Sequence, residues 1–243
     1  MTVQSAIPAS SSVRARFGDD VRVFSRIVVV GVAVGMLSVG VLSRLAMFVL
    51  ARTNPDTAGM KTDDGFTIDQ FTLSGSLNLL VVGAVLGALS GVLYAALAPL
   101  AIGPAWFRRA SLCVGAGVVA ATQVVHADGI DFVALGPLLL AVGLFVLIPV
   151  LHVLALDLLS RRVSHDGLRG IGWTVLGCLC AVPFVALVVP LLLGRLVWLA
   201  APAGSAMGVF LRARLWPWVA RGVLTVLFGM AVTDIVQDVA TLA

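Results

Sequence analysis

Long apolar stretches alternate with short polar segments along almost the whole chain. The clearest stretches approach or exceed the roughly 20 mainly apolar residues that a helix needs to cross a bilayer. Their apolar runs are unbroken and lack the period-two alternation of a transmembrane strand. The pattern therefore predicts an all-α, polytopic bundle of transmembrane helices. The clear spans are predicted at residues 27–50, 77–101, 110–125, 133–154, 171–193 and 219–236.

A further apolar segment, residues 196–211, is short and contains Pro202 and Gly204. It could cross the membrane, re-enter it or lie along the interface. If it crosses, there are seven spans, and twelve of the sixteen basic residues face the cytoplasm while three face outward. If it does not cross, the split becomes nine against six. Because basic residues concentrate on the cytoplasmic side, the count favours seven spans, with six plus a re-entrant or interfacial segment as the alternative.

Seven spans also fix the orientation of the chain. Residues 1–26 become a cytoplasmic N-terminal tail, and residues 27–243 form the transmembrane domain. The polar loop at about residues 51–74 and the C-terminus then lie outside the cytoplasm. Ala, Val, Leu, Gly and Arg dominate and Lys61 is the only lysine, which indicates a high-GC bacterial genome and a bacterial plasma membrane.

Composition supports a lipid-embedded protein. Hydrophobic residues make up 60% of the chain and charged residues only 12%, whereas soluble domains carry about 25% charged residues. The net charge is +4, but the basic residues are scattered at helix ends and form no nucleic-acid patch. The expected partners are therefore the lipid bilayer and, through helix packing, further subunits or copies of the chain itself.

Small residues recur at helical spacing in the first two spans. Gly83, Gly87 and Gly91 form one stripe on the second span, and Gly31 and Gly35 form a shorter stripe on the first. Small residues let helix backbones approach closely in lipid. The stripes are either an oligomer interface or packing positions within the monomer, and a seven-helix bundle favours the second interpretation.

Arg44 lies in the outer half of the first span. Its side chain could extend to the outer interface, or it could face inward and pair with a carboxylate, because an unpaired charge in lipid is costly. Asp234, near the outer end of the last span, has a matching depth in the seven-span topology. We therefore advance an intramembrane charge pair between Arg44 and Asp234 as a hypothesis.

Other polar residues give weaker indications. His126, Asp128 and Asp131 cluster in an outer loop and could bind a metal or relay protons, although a solvated loop is the simpler interpretation. His152 and Asp157 are five residues apart and do not share a helix face well. No catalytic, metal-binding or cofactor-binding motif is recognisable, so no catalytic residue, metal or cofactor is assigned.

The first third of the chain resembles uncharacterised multipass membrane proteins of high-GC bacteria. The resemblance rests on Gly35-Met36-Leu37-Ser38, Leu42-Ser43-Arg44-Leu45-Ala46, Asp63-Asp64-Gly65-Phe66 and Gln70-Phe71-Thr72-Leu73-Ser74-Gly75. It implies that Arg44 and the outer loop belong to the family pattern, and it implies no activity.

Three functions remain open. A non-catalytic subunit or assembly component of a larger membrane complex is favoured by short loops and the glycine stripes. A small transporter or channel for an ion or apolar molecule is favoured by Arg44 and by the prolines within spans, such as Pro183 and Pro190. A membrane enzyme acting on lipids has the outer cluster as its only candidate site, so the balance is against an enzyme.

Overall fold

The computed structural model describes residues 9–57, 59, 72–124, 137–163, 170–200 and 215–242. Over this part of the chain the protein is helical and contains no strand. Five of the helices, counting continuous ones together, are long and apolar enough to cross a membrane. The prediction of an all-α bundle is therefore confirmed for the described residues.

We number the α-helices in chain order. Short 3₁₀ or π-helical turns join several of them, notably a π-helical segment at Met36–Leu42 and a 3₁₀ turn at Val182–Phe184. The α-helices are α1 Ala9–Gly35, α2 Ser43–Thr53, α3 Leu73–Leu97, α4 Ala105–Val124, α5 Leu138–Arg162, α6 Ile171–Ala181, α7 Val185–Ala200 and α8 Leu215–Leu242.

The first span is part of a much longer helix than its apolar stretch predicts. Apolar and polar parts together run without a break over Val13–Thr53, 41 residues. At about 1.5 Å per residue this helix is roughly twice as long as the ~30 Å hydrocarbon core is thick. The polar segment before residue 27 is therefore the N-terminal part of helix α1 rather than a separate element.

Local sequence sets several helix ends. Thr72 has extended backbone angles, and its hydroxyl accepts the backbone N–H of Gly75 at 3.3 Å, which caps α3. Gly103 adopts a φ of +94° between α3 and α4, a conformation that costs a glycine little. Pro137 immediately precedes α5, where a missing N–H breaks no helical hydrogen bond.

Helices α1 and α3 form the centre of the bundle and cross at their glycines. A Cβ atom on Gly83 would lie 2.6 Å from the carbonyl oxygen of Gly35, and one on Gly87 would collide with the carbonyl oxygen of Gly31. Gly91 packs in the same way against the backbone of Val28. The two glycine stripes therefore serve a backbone contact within one chain.

The remaining helices surround this pair. Helix α5 packs on α1 and α4, and α8 lies against α4. Leu50, Ala121 and Ala141 form a buried cluster that Ile235 of α8 also contacts. Helix α6 crosses α1 where Gly177 meets the backbone of Ser25.

The apolar region after residue 171 departs from the predicted boundaries. Helices α6 and α7 form one 30-residue apolar stretch, Ile171–Ala200, that is interrupted by the 3₁₀ turn at Val182–Phe184. Residues 196–200, the start of the ambiguous segment, continue this helix. The rest of that segment, like the acidic part of the predicted outer loop, lies outside the described residues.

Candidate functional site: a buried polar row inside the bundle

Two groups of buried polar side chains lie inside the bundle, and helix α5 contributes the central residue of each. His152 is 5% exposed and Asp157 is 1% exposed. An ionisable residue within a membrane-spanning helix is costly to bury, so it is by default a candidate for function. These two groups form the candidate site.

The imidazole of His152 bridges two serines on different helices. Its Nδ1 atom lies 2.7 Å from Oγ of Ser38 in the π-helical segment, and its Nε2 atom lies 2.5 Å from Oγ of Ser90 on α3. Ser38 and His152 are buried. Both ring nitrogens therefore contact hydroxyl groups, a buried one on Ser38 and a partly buried one on Ser90.

Each serine also has a backbone acceptor, and this constrains the protons. Ser38 donates to the carbonyl of Val34 at 2.7 Å, and Ser90 donates to the carbonyl of Gly87 at 2.8 Å. A hydroxyl has one proton and a neutral imidazole has one N–H. In the neutral form one serine must therefore turn its proton to the ring, whereas a protonated imidazole donates to both serines while both keep their carbonyls. Both ring nitrogens therefore have hydrogen-bond partners in the neutral and in the protonated state of His152, and the two states differ by one proton and the rotation of one serine hydroxyl.

The π-helical segment at Met36–Leu42 contains Ser38 and lies directly beside this site. A π-helical turn adds a residue to the helical repeat and changes the direction of the side chains that follow, and such turns are frequent at functional sites. The close approach of Gly83 to Gly35, just before the segment, also brings α3 near it. The local backbone therefore holds Ser38 and Ser90 on opposite sides of His152.

Asp157 is the centre of the second group. Its Oδ1 atom accepts the hydroxyl of Tyr94 at 2.5 Å and the Nε and Nη2 atoms of Arg161 at 2.9 and 2.8 Å. Its Oδ2 atom accepts Nε of Arg109 at 2.8 Å. Because these partners lie on α3, α4 and α5, one carboxylate connects three helices.

The carboxylate of Asp157 is shared by two guanidinium groups, those of Arg109 and Arg161. Asp157 is almost fully buried, whereas the side chains of Arg109 and Arg161 are 33% and 52% exposed. The two guanidinium groups therefore extend from a buried carboxylate toward the surface of the bundle.

The two groups follow each other along the bundle. Ser90 and Tyr94 are one turn apart on α3, and His152 and Asp157 are five residues apart on α5, which is about 7.5 Å of helix rise. Tyr94 and Arg161 also line a cavity at the helix ends. Polar side chains thus form a row from this end of the bundle to its interior, and we call it the polar row.

Arg44 lies on α2 with its Nε and Nη2 atoms shielded from solvent. This burial favours the inward-facing interpretation over extension to the interface. Asp234 on α8 is exposed, although its neighbour Ile235 contacts the cluster that contains Leu50 of α2. The Arg44–Asp234 pair stays a prediction.

The outer polar cluster cannot be compared with the structure, because His126, Asp128 and Asp131 lie outside the described residues. Within the ranges that are described, no group of three His, Cys, Asp or Glu side chains is arranged to hold a metal ion.

Sequence reasoning set His152 and Asp157 aside because they do not share a helix face. The two residues do lie on different faces of α5, because they contact different neighbours. Both faces nevertheless point into the bundle, since other helices pack on both sides of α5. The available signal was simpler: both are ionisable residues within a long apolar run of α5. Tyr94, the only tyrosine of the chain, was a second signal.

The chain matches no protein-family model, no curated protein and no solved structure. A functional assignment must therefore come from the chemistry of the polar row itself.

Proposed function

We propose that this protein is a small membrane transporter or channel that passes protons, with His152 as the proton-binding residue. The observation that carries the proposal is the placement of the imidazole between Ser38 and Ser90, with a hydroxyl at each ring nitrogen. Histidine is the side chain best suited to gain and lose a proton near neutral pH. Chains of Asp, Glu and His mark proton pathways in membrane proteins.

The geometry supports a simple relay. A proton arriving on the α3 side binds at Nε2, and the imidazolium then carries one N–H toward each serine. Loss of the Nδ1 proton on the side of the π-helical segment leaves the other neutral tautomer. One proton has then moved from the Ser90 side of the ring to the Ser38 side, and only N–H and O–H bonds have formed or broken.

The test is proton flux in proteoliposomes. Purified protein is reconstituted with a pH-sensitive dye inside, and a potassium diffusion potential is imposed with valinomycin. We expect acidification of the lumen above that of empty vesicles, and a return to the empty-vesicle rate in His152→Gln. The matched control is His165→Gln, which removes a histidine from the segment between α5 and α6.

Both variants must be shown to be folded, by a monodisperse elution profile and an unfolding temperature close to that of the wild type. No flux in the wild type, or unchanged flux in His152→Gln, would contradict the proposal.

A second function, a non-catalytic subunit of a larger membrane complex, is favoured by the periphery of the bundle. None of the most hydrophobic 18-residue stretch of α8 is buried, and only 11% of that of α6 and α7 is. Extraction in a mild detergent followed by native mass measurement tests it. A stoichiometric second protein supports the subunit function, and a particle of this chain alone contradicts it.

Contacts at one end of the bundle indicate how many times the chain crosses the membrane between α5 and α8. Arg221 at the start of α8 donates from Nε to the carbonyl of Leu100 at 2.8 Å. Leu100 and Arg109 flank the turn between α3 and α4, and Arg109 shares Asp157 with Arg161 at the end of α5. We therefore infer that α5 ends and α8 begins on one side of the membrane, and that residues 164–214 cross it an even number of times.

An even number agrees with seven spans and disfavours six. Two sets of contacts oppose seven spans. Leu191 of α7 packs on the cluster that contains Phe24 of α1. Arg195 of α7 also pairs with Asp20 of α1 at 2.8 Å, although that topology places them on opposite sides. Both side chains are partly exposed, and such a pair contributes only about 0–1 kcal/mol. Each Leu, Val, Ile or Phe favours insertion by roughly 0.3–0.6 kcal/mol, and α6 and α7 contain more than a dozen of them. We propose seven spans in a bacterial plasma membrane with the N-terminus in the cytoplasm, because the apolar length of α6 and α7 favours a full crossing.

A further inference from the structure

A cavity of about 300 Å³ opens between α1 and the C-terminal ends of α3 and α5. A space of this size has room for several water molecules. Its lining includes two hydroxyl-bearing side chains, Tyr94 of α3 and Ser160 of α5, and the apolar side chain of Val30 of α1. Water can therefore approach the interior of the bundle from this end.

Two of the helices lead from the cavity to His152 in steps of one turn. On α5, Ser160, Leu156 and His152 are four residues apart, so their side chains follow one face of the helix. On α3, Tyr94 is one turn from Ser90, whose hydroxyl contacts the imidazole. Leu156 therefore lies between the cavity and the imidazole, along about 12 Å of helix rise.

Helix α1 and the π-helical segment repeat this order. Val30 lines the cavity, Val34 follows four residues later, and Ser38, which contacts His152, follows after four more. Val30 is 6% exposed, Val34 is 4% exposed and Leu156 is 0% exposed, and these three side chains form one buried cluster. We call this cluster the apolar layer. It separates the space of the cavity from the hydroxyl and imidazole groups behind it.

An apolar layer at this place has a defined effect on proton movement. Valine and leucine side chains carry no hydrogen-bond donor or acceptor, so they cannot bind or pass a proton. Water that enters a narrow apolar constriction loses hydrogen-bond partners, and membrane pores close by this dewetting without a steric plug. Along this face of α5, a proton can therefore reach His152 only when water enters the layer.

We propose that the apolar layer is the gate of the proton pathway, and that Leu156 and Val30 set the rate at which protons pass between the cavity and His152. The gate rests on the proposed transport of protons by His152, and it adds the element that controls that transport. In the seven-span topology the cavity opens toward the cytoplasm, so this gate controls exchange with the cytoplasmic side.

The first test is proton flux in the proteoliposome assay. Leu156→Ala opens space within the layer and is expected to raise the flux severalfold over that of the wild type. The further substitution His152→Gln is expected to return the flux to that of empty vesicles, which distinguishes an opened gate from a general leak. Leu50→Ala is the matched control, since it truncates an equally buried leucine in a separate cluster, and its flux should equal that of the wild type.

A second variant is needed because truncation of a buried leucine also destabilises a protein. Val30→Thr nearly keeps the shape of the side chain and adds a hydroxyl that can hydrogen-bond to water. It is expected to raise the flux without opening a void. Val28→Thr is its control, because Val28 is a buried valine of the same helix that belongs to a different cluster.

Reaction of single cysteines with silver ions tests the layer without relying on transport. The three native cysteines are replaced by alanine, and Ag⁺ is added to inside-out membrane vesicles. Ser160→Cys, in the lining of the cavity, is expected to react. Ser38→Cys is expected to be protected and to become reactive when Leu156→Ala is added. Thiols that have not reacted are measured with a maleimide after denaturation.

The outcomes separate the gate from the transport function. A flux that requires His152 but is the same in the wild type, Leu156→Ala and Val30→Thr would overturn the gate and leave proton transport in place. No flux in the wild type or in any variant would contradict the transport function, and the silver reaction alone then decides whether the layer excludes water. An unreactive Ser160→Cys, or a Ser38→Cys that reacts equally with and without Leu156→Ala, would overturn the gate.

Discussion

The Nε2 atom of His152 on α5 lies 2.5 Å from the Oγ atom of Ser90 on α3, although 62 positions separate the two residues in the chain. This contact exists because the glycines of α1 and α3 bring those two helices together, and α5 packs beside them. The packing of small residues and the candidate chemistry are therefore parts of one arrangement.

Replacing Ser90 with alanine tests the energetic value of this contact. The substitution removes the hydroxyl and leaves one ring nitrogen of His152 without that partner, so we expect unfolding free energy to fall by about 1–3 kcal/mol. Reversible unfolding in mixed micelles provides the measurement.

Ser111→Ala is its control, because Ser111 is exposed on α4 and its hydroxyl only donates to the carbonyl of Phe107. The double variant Ser90→Ala with His152→Phe should lose less than the sum of the single variants. Additive losses would show that the serine and the histidine are not coupled.

Asp157→Asn should destabilise the bundle more strongly. The neutral amide removes the carboxylate that Arg109 and Arg161 share, and breaking a buried ion pair from one side costs about 3–5 kcal/mol. We expect about 3 kcal/mol, the lower end, because Arg161 is half exposed and water screens its charge. Unfolding free energy in micelles is again the quantity measured.

The additional substitution Arg109→Gln should restore part of that stability, since it removes one of the two opposing charges. Asp19→Asn is the matched control: its pair with Arg22 is exposed on both sides, so its loss should be below about 1 kcal/mol. If Asp157→Asn costs no more than Asp19→Asn, the carboxylate does not hold α3, α4 and α5 together.

The amino-acid sequence was sufficient for the helical bundle and for the glycine stripes. A helix in lipid must be apolar over its length, and close backbone packing needs small residues at intervals of four. Both features therefore depend on residues that are near one another in the sequence. Helix ends such as Thr72 and Gly103 are also local features of the chain.

The candidate site was not predictable in the same way. The partners of His152 lie 114 and 62 positions away in the chain, and no local spacing reveals them. The direction of Ser38 depends on a π-helical turn, which α-helical periodicity does not anticipate. Pairing across helices is a property of packing, and a single sequence carries little information about it.

Gly87→Ala should destabilise the crossing of α1 and α3. A Cβ atom at this position collides with the backbone carbonyl of Gly31, which cannot move aside without separating the helices. We expect the unfolding temperature in detergent to fall by several degrees, and His152 to lose its contact with Ser90 as α3 moves.

Gly115→Ala provides the comparison, because nothing lies within 4 Å of a Cβ atom at that position on α4. Alanine is a better helix former than glycine by about 1 kcal/mol, so this variant should be as stable as the wild type or more so. Equal losses at both positions would indicate that close packing is not the reason for Gly87.

The hypothesis of a charge pair between Arg44 and Asp234 can be tested by charge reversal. Arg44→Asp and Asp234→Arg should each reduce the yield of folded protein, since each places two like charges together in a poorly solvated region. The double reversal should restore the yield, as measured by the monodisperse fraction after purification. A double variant as poor as the worse single variant would remove the pair from consideration.

The pair of Asp20 and Arg195 offers the most direct test of seven spans. In that topology residue 194 faces the extracytoplasmic side, whereas Asp20 faces the cytoplasm. Gly194→Cys and Asp20→Cys are therefore introduced separately into a variant in which the free cysteines Cys113, Cys178 and Cys180 are replaced by alanine. A membrane-impermeant maleimide added to intact cells should label position 194 and should label position 20 only after the cells are opened. Protection of both positions in intact cells would keep the ion pair, would place the end of α7 on the cytoplasmic side, and would reduce the crossings to five with residues 164–214 entering and leaving on one side.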